Sequence, residues 1–99
     1  MSVTAIYSLQ AAEGKAEELV AMLQQGRDFS MTVEGCEGFE VFQGKDDPNM
    51  FVMTERWASV EDHQSHFESN VKASGLLERA EALMTEPFPP PDESYYLLR

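Results

Sequence analysis

One predicted strand carries large apolar side chains on both of its faces, and this constrains the fold more than any other feature. In the segment NMFVMTERW, alternation puts Phe51, Met53 and Trp57 on one face. Met50 and Val52 fall on the opposite face. A sheet containing this strand needs cover on both sides, because a monomer would otherwise leave a contiguous apolar patch in water. Helices can cover one face, and a second copy of the chain is the economical cover for the other.

The remaining periodicities predict an α+β chain with the element order β-α-β-β-α-β. Alternating apolar residues predict strands over residues 2–10, 36–44 and 49–57, and a fourth strand in the C-terminal SYYLLR. A stripe of apolar residues in KAEELVAMLQQGRDFS predicts an amphipathic helix that reaches Phe29. This order is the split βαβ pattern of the ferredoxin-like fold, a four-stranded antiparallel sheet with helices on one face.

The sequence pattern changes from strand to helix at Ser59. Ser59 with Asp62 three residues later is a variant of the capping box, which predicts that a helix begins here. At 100° per residue, His66 lies about 60° around the helix axis from His63. Gly75 is expected to interrupt this helix before a further short one.

Length and charge limit the class of protein and its partners. The 99 residues give room for one domain, residues 1–99, with a formal net charge of -11 and a pI of about 4.4. We expect neither nucleic acid nor a membrane surface as a partner, because such binding depends on Lys and Arg. Cys36 is the single cysteine and no apolar leader is visible, so a cytoplasmic protein is expected.

Two histidines on one predicted helix, His63 and His66, are the leading candidates for chemistry. A histidine beside an apolar pocket titrates near neutrality and can take a proton from a phenol or an activated carbon. The structural alternative is that His66 only packs and makes one hydrogen bond. Asp62 and Glu55 could add oxygen ligands for a metal, but zinc sites need three or four ligands, so no metal is expected. Glu55 is expected to be a structural charge paired with an arginine or with a partner subunit.

Aromatic residues around the histidines could form a flat apolar slot for a small aromatic or hydrophobic ligand. They could equally be the core of a thin domain. The sequence contains no P-loop, GxGxxG, GxSxG, HExxH or CxxC pattern, so no tightly bound cofactor is expected. The aromatic candidates are Trp57, Phe67, Phe51, Tyr95 and Tyr96.

The run GCEGFEVF, followed by a short turn and then FVMTERWASVEDHQSHFES, resembles the antibiotic biosynthesis monooxygenase family of dimeric α+β barrel proteins. That family typically has Gly-Cys before a second strand with an aromatic residue, then F-x-x-x-E-x-W. A Ser or Asp cap, an acidic residue and a His nine positions after the Trp complete the pattern. The matching positions here are Gly35, Cys36, Phe39, Phe51, Glu55, Trp57, Ser59, Glu61 and His66.

The resemblance implies a homodimer and a cofactor-independent monooxygenase that oxidises a small quinol, phenol or anthrone-like substrate with O2. In this interpretation His66 is the catalytic base and His63 a second hydrogen-bonding group. Trp57, Phe67 and Phe51 would contact the substrate. One alternative is a non-enzymatic dimeric module that binds a small ligand or acts in stress. A minor alternative is a haem-degrading monooxygenase, but the first-strand Asn of that branch has no counterpart in VTAIYSLQ.

Overall fold

The computed structural model describes residues 2–98, and its elements follow the predicted order. The strands are β1 (Val3–Gln10), β2 (Cys36–Gln43), β3 (Met50–Trp57) and β4 (Asp92–Tyr96). The helices are α1 (Ala16–Ser30), α2 (Val60–His66) and α3 (Leu76–Glu81), and a π-helical segment, Phe67–Lys72, continues α2. The strands form one antiparallel sheet in the order β2-β3-β1-β4. The predicted ferredoxin-like α+β fold is therefore confirmed.

The last strand lies earlier in the chain than the sequence predicted. It was expected over SYYLLR, but it begins at Asp92 and ends at Tyr96, and Arg99 lies outside the described residues. The pairing with β1 explains the end point, because Tyr96 is opposite Val3, the first residue of β1. Residues after Tyr96 therefore have no β1 partner to extend the ladder.

One face of the sheet forms the core beneath the helices. Side chains at alternate positions of β1 and β3 are buried there, including Tyr7, Phe51 and Trp57. Leu19 and Leu23 of α1 pack against this face. Burial of one large apolar side chain contributes roughly 1.5–3 kcal/mol, so this layer supplies most of the stability that a chain of this size can gain.

The opposite face of the sheet carries the second apolar side of β3, and the single chain leaves it exposed. Phe42 of β2 and Val52 of β3 are register partners on this face, and their side chains are 50% and 40% exposed. Met50 and Tyr95 add further exposed apolar surface. Within residues 2–98 the chain provides no helix over this face, since α1, α2 and α3 all pack on the other one.

The start of α2 is fixed by its cap and by a glycine in the preceding loop. The Asp62 backbone N–H donates to the Ser59 hydroxyl oxygen at 3.1 Å, which confirms the predicted cap. Gly35 has φ +94°, and a Cβ there would lie 2.7 Å from Asp62 Oδ2. Its carbonyl also accepts from the Ala58 N–H at 2.8 Å, so the loop before β2 holds α2 in place. None of the helices in residues 2–98 is long and apolar enough to cross a bilayer.

Candidate functional site

A small cavity between the helices and the core face of the sheet is the candidate functional site. Its volume is about 60 Å³, and most of its wall is apolar, with Met22, Leu23 and Met53 among the lining residues. Phe67 and Val71 of the π-helical segment form part of the wall. The polar side chains in the wall are those of Tyr7, Ser30, Glu55, His63 and His66.

His63 is buried, and both of its ring nitrogens have partners. Nδ1 lies 2.8 Å from Glu93 Oε2 on β4, and Nε2 lies 3.0 Å from the Tyr7 hydroxyl oxygen on β1. An ionised carboxylate can only accept, so Nδ1 of the neutral ring carries the proton and donates to Glu93. Nε2 is then the acceptor, and the Tyr7 hydroxyl donates to it.

Tyr7 is held as a neutral phenol. Burial raises the pKa of its hydroxyl far above the ordinary value, and the charges of Glu55 and Glu93 raise that pKa further. A phenol donates one hydrogen bond and keeps lone pairs on its oxygen, so Tyr7 can donate to His63 and accept from another group.

Glu55 is a buried carboxyl beside His63. Burial raises the pKa of Glu55 because the charged form is desolvated, while His63 and a hydrogen bond from Trp57 act in the opposite direction. The Trp57 indole N–H donates to Glu55 Oε1 at 3.0 Å, and the same oxygen lies 3.8 Å from His63 Nε2. Within residues 2–98 neither Arg56 nor Arg79 pairs with Glu55, so the predicted pairing with an arginine is wrong, whereas pairing with a partner subunit stays a prediction. Arg56 follows Glu55 in β3, so its side chain points to the open face, where it donates to a backbone carbonyl of β2.

His66 lies in the cavity wall with both ring nitrogens bonded to the protein. Nε2 is 3.1 Å from the Ser30 hydroxyl oxygen, and Nδ1 is 3.0 Å from the Asn70 side-chain nitrogen. With the Asn70 amide donating to Nδ1, the proton is on Nε2 and is donated to Ser30. Burial lowers the pKa of His66, and the neighbouring His63 lowers it further, so the ring is neutral at neutral pH.

The structure brings together three of the five predicted site residues. His63, His66 and Phe67 line the cavity, whereas Trp57 and Phe51 are not in its wall. Trp57 is fully buried beside the imidazoles, with its ring centroid 4.9 Å from that of His66 and 5.9 Å from that of His63. Phe51 lies further along β3 in the core and lines a different groove, beside α1 and β2.

The two C-terminal tyrosines that the sequence suggested for the slot are elsewhere. Tyr95 and Tyr96 are 53% and 60% exposed on the edge strand β4 and are absent from the cavity wall. Sequence reasoning also missed Tyr7, Ser30 and Glu93 as partners of the histidines. Tyr7 carried a usable signal, because a tyrosine at an inward-facing strand position needs a partner for its hydroxyl. Ser30 and Glu93 carried none, because their positions depend on long-range packing.

A surface pocket lies on the other side of three of the cavity residues. This outer pocket has a volume of about 320 Å³ and shares Tyr7, His63 and Phe67 with the cavity. Glu93 lines the outer pocket, whereas Glu55 lines the cavity. The imidazole of His63 thus connects a carboxylate on the outer side to the interior.

The size and composition of the cavity limit what it can hold in this conformation. A dry apolar cavity of about 150 Å³ is large enough for benzene, so a ring enters this one only if part of the wall moves. In residues 2–98 no group of three or more His, Cys, Asp or Glu side chains is arranged to hold a metal ion.

Comparison with known proteins gives a family and a set of structural relatives. Residues 2–72 match the sequence profile of the antibiotic biosynthesis monooxygenase family. The solved structure of PA3566 from Pseudomonas aeruginosa is 26% identical, with a TM-score of 0.81, and the match covers 98% of this chain and 95% of that one. No curated protein matches the chain at a significant level.

Two further structures show the same fold at lower identity. Both are named "putative antibiotic biosynthesis monooxygenase", and each is 21% identical to this chain. The protein from Nitrosomonas europaea has a TM-score of 0.82, over 96% of this chain and 91% of its own. The protein from Chloroflexus aurantiacus has a TM-score of 0.80, over 100% of this chain and 96% of its own.

Proposed function

The chain belongs to the antibiotic biosynthesis monooxygenase family, and on that premise we propose that it oxidises a small hydroxyaromatic compound with O2 in the cavity beside α2. The observation that supports this function is a mostly apolar cavity whose few polar groups include two buried imidazoles. Apolar walls favour an aromatic ring, and imidazoles are suited to moving its protons. Quinols, phenols and anthrones are the substrate classes that such a site would take.

In the proposed reaction the substrate itself supplies the electrons. A protein base removes a proton from the bound hydroxyaromatic or anthrone, and the resulting anion is electron-rich enough to reduce O2. For an anthrone, one oxygen atom then forms the new ring carbonyl, and the other leaves as water with the two hydrogens of that carbon. The protein desolvates the ring, accepts the proton and stabilises the anion. No organic cofactor is required.

His66 is the base that the family resemblance implies, and one of its properties supports that role. Its lowered pKa keeps the ring neutral at neutral pH, which is the state a base needs. Its contacts with Ser30 and Asn70 impose a condition, since one of them must be released before the ring takes a second proton. Phe67 and His63, which share the wall with His66, would contact the substrate.

We propose that the ring enters through the wall formed by the π-helical segment. Phe67 lies between the cavity and the outer pocket, and Val71 lines the cavity one turn later. The segment Phe67–Lys72 has no fully buried residue, so moving it outward exposes little new apolar surface. π-helical turns are frequent at functional sites, in keeping with this role.

We also propose that the open sheet face is covered by a second copy of the chain. Phe42, Met50 and Val52 lie close together on this face, and a two-fold axis would bring identical apolar patches into contact. Val52→Lys is expected to convert the dimer into a monomer, measured by sedimentation at micromolar concentration. A wild-type chain that sediments as a monomer would rule out this assembly.

Oxygen uptake tests the proposed function. The purified protein is mixed with a panel of quinols, phenols and anthrones, and O2 consumption is followed together with product mass. We expect incorporation of one oxygen atom into at least one substrate class. His66→Ala should lower kcat by about 10²- to 10⁴-fold if His66 is the base. Ser65→Ala, an exposed position on the same helix, is the matched control and should not change the rate.

The outcomes separate the candidate functions. Full activity in His66→Ala would remove His66 from the mechanism while leaving the monooxygenase function intact. Absence of uptake with every substrate class, combined with saturable binding of the same compounds, would favour a non-enzymatic ligand-binding module instead.

A further inference from the structure

We propose that Tyr7, His63 and Glu93 form a proton relay whose ligand-facing end is the Tyr7 hydroxyl, and that the cavity selects ligands that carry a free hydroxyl group. The relay gives Tyr7 contact with the ligand, makes His63 the acceptor of the ligand's hydroxyl proton and makes Glu93 the residue that positions His63. His66 is then the base for a further proton of the substrate in the later reaction with O2. The relay depends on the proposed function only for that reaction.

The hydrogen bonds of His63 have a fixed direction. Glu93 Oε2 can only accept, so the Nδ1–H of His63 points to it across 2.8 Å. The free lone pair of His63 is then on Nε2, 3.0 Å from the Tyr7 oxygen. A neutral phenol in this position donates its proton to Nε2. Glu93 therefore determines which way the hydrogen of Tyr7 points.

The Tyr7 hydroxyl oxygen has unused lone pairs. In residues 2–98 no other side chain makes a hydrogen bond to the Tyr7 hydroxyl, and Tyr7 lines both the cavity and the outer pocket. Because its only hydrogen is committed to His63, its oxygen can serve a ligand only as an acceptor. The complementary ligand group is a donor, and a hydroxyl on a flat apolar body fits the remaining wall. His66, by contrast, has both nitrogens engaged with Ser30 and Asn70.

The proton balance of the relay is complete without a phenolate. The ligand O–H bond breaks and its proton goes to the Tyr7 oxygen, while the Tyr7 proton moves to His63 Nε2. Tyr7 ends as a neutral phenol, the ligand as an anion and His63 as an imidazolium. The imidazolium lies between Glu93, 2.8 Å from Nδ1, and Glu55, 3.8 Å from Nε2. The hydrogen bond from Nδ1–H to the Glu93 carboxylate stabilises the positive charge.

The exit of the proton follows the same line outward. Glu93 is the most exposed of the three relay residues, with a quarter of its side chain accessible (25%), and it lines the outer pocket. A proton that reaches His63 can therefore pass through Nδ1 to Glu93 and then to water. The titratable groups that face His63 are Tyr7 from β1, Glu55 from β3, Glu93 from β4 and His66 from its own helix.

The hydrogen-bond direction is tested without any turnover. Two-dimensional ¹⁵N–¹H NMR of the histidine rings should place the proton of neutral His63 on Nδ1. Glu93→Ala should remove this preference, and Glu93→Gln should restore it, because an amide oxygen also accepts from Nδ1–H. Ser94→Ala, an exposed neighbour on β4, is the control and should leave the ring unchanged. A wild-type ring protonated on Nε2, or one unaffected by Glu93→Ala, overturns the relay.

Ligand selection is tested with phenol and its methyl ether, anisole, which differ in the hydroxyl proton. We expect phenol to bind about 2- to 10-fold more tightly than anisole to the wild-type chain. The two ligands should bind equally tightly to Tyr7→Phe. A preference for anisole, equal binding in the wild type, or a phenol preference that survives in Tyr7→Phe contradicts the proposal. Both tests use binding and NMR alone and need no turnover. If the relay passes both tests but no substrate gives O2 uptake, only the monooxygenase function is rejected.

Discussion

The substitution Glu55→Gln tests whether ionisation of the buried Glu55 carboxyl lowers the free energy of unfolding. Glutamine keeps the shape of the side chain and an oxygen that accepts from the Trp57 indole N–H, but it removes the ionisable group. Burial raises the pKa of Glu55 in the folded state. At a pH between the unfolded and the folded pKa, the folded chain therefore holds a proton that the unfolded chain has released.

The sign and size of the effect follow from proton linkage. Below the unfolded pKa of about 4.3, both states are protonated and Glu55 carries no ionisation penalty. As the pH rises from there to the folded pKa, the wild type loses stability relative to Glu55→Gln by up to about 1.4 kcal/mol per pH unit. Above the folded pKa the difference is constant. For a domain of this size, a stability difference of about 1.4 kcal/mol corresponds to a shift of roughly 6–11 °C in Tm.

The assay is urea unfolding of both proteins at one fixed concentration, at intervals from pH 4 to pH 8. The free energy of unfolding of the variant minus that of the wild type should rise with pH and then level off. An unpaired amide N–H in the variant adds a constant cost and leaves the slope unchanged. Glu78→Gln, an exposed position on α3, is the control. A flat difference for Glu55→Gln across the whole range would refute the claim that this carboxyl is desolvated.

Three further substitutions test how α2 is held in place and how His66 on that helix ionises. Gly35→Ala should destabilise the fold by roughly 1–2 kcal/mol because of the positive φ, and the close contact of the new Cβ with Asp62 adds to this loss. Wild-type stability of the variant in urea would refute this. Ser59→Ala should cost about 1 kcal/mol by the same measurement, whereas an unchanged midpoint would show that the cap is dispensable. Because burial lowers the pKa of His66, acidification through the unfolded histidine pKa of about 6.5 should destabilise the wild type more than His66→Gln, and parallel pH profiles would contradict that shift.

The fold was largely predictable because its signals are local. Alternation in three strands, one amphipathic stripe and the Ser59 cap each reflect a period or a hydrogen bond within a few residues. The two-faced pattern of β3 also predicted correctly that helices cover one sheet face and that the single chain leaves apolar side chains exposed on the other. Cover of that second face by another copy of the chain stays a prediction. The position of β4 was less predictable, since only its pairing with Val3 fixes where it ends.

The site was predictable only in part, because its contacts join residues that are far apart in sequence. The spacing of His63 and His66 predicted that they share a helix and could reach one volume, and both line the cavity. The partners of His63 come from β1 and β4, 56 and 30 residues away, so no local pattern reveals them. Trp57 was expected to contact a ligand, but its ring lies on the core face beside the imidazoles of α2, where it is completely buried and outside the cavity wall.

The claim that a hydroxyaromatic ligand occupies this cavity is tested most directly with the methionine methyl groups. Among the six methionines of the chain, Met22 and Met53 line the cavity, whereas Met31 and Met50 are exposed elsewhere. In a ¹³C–¹H NMR titration with phenol under anaerobic conditions, we predict saturable shifts of the Met22 and Met53 methyl signals and little change at Met31 and Met50. Shifts confined to Met50, or saturable binding that leaves Met22 and Met53 unmoved, would place the ligand outside the cavity and contradict the proposed site.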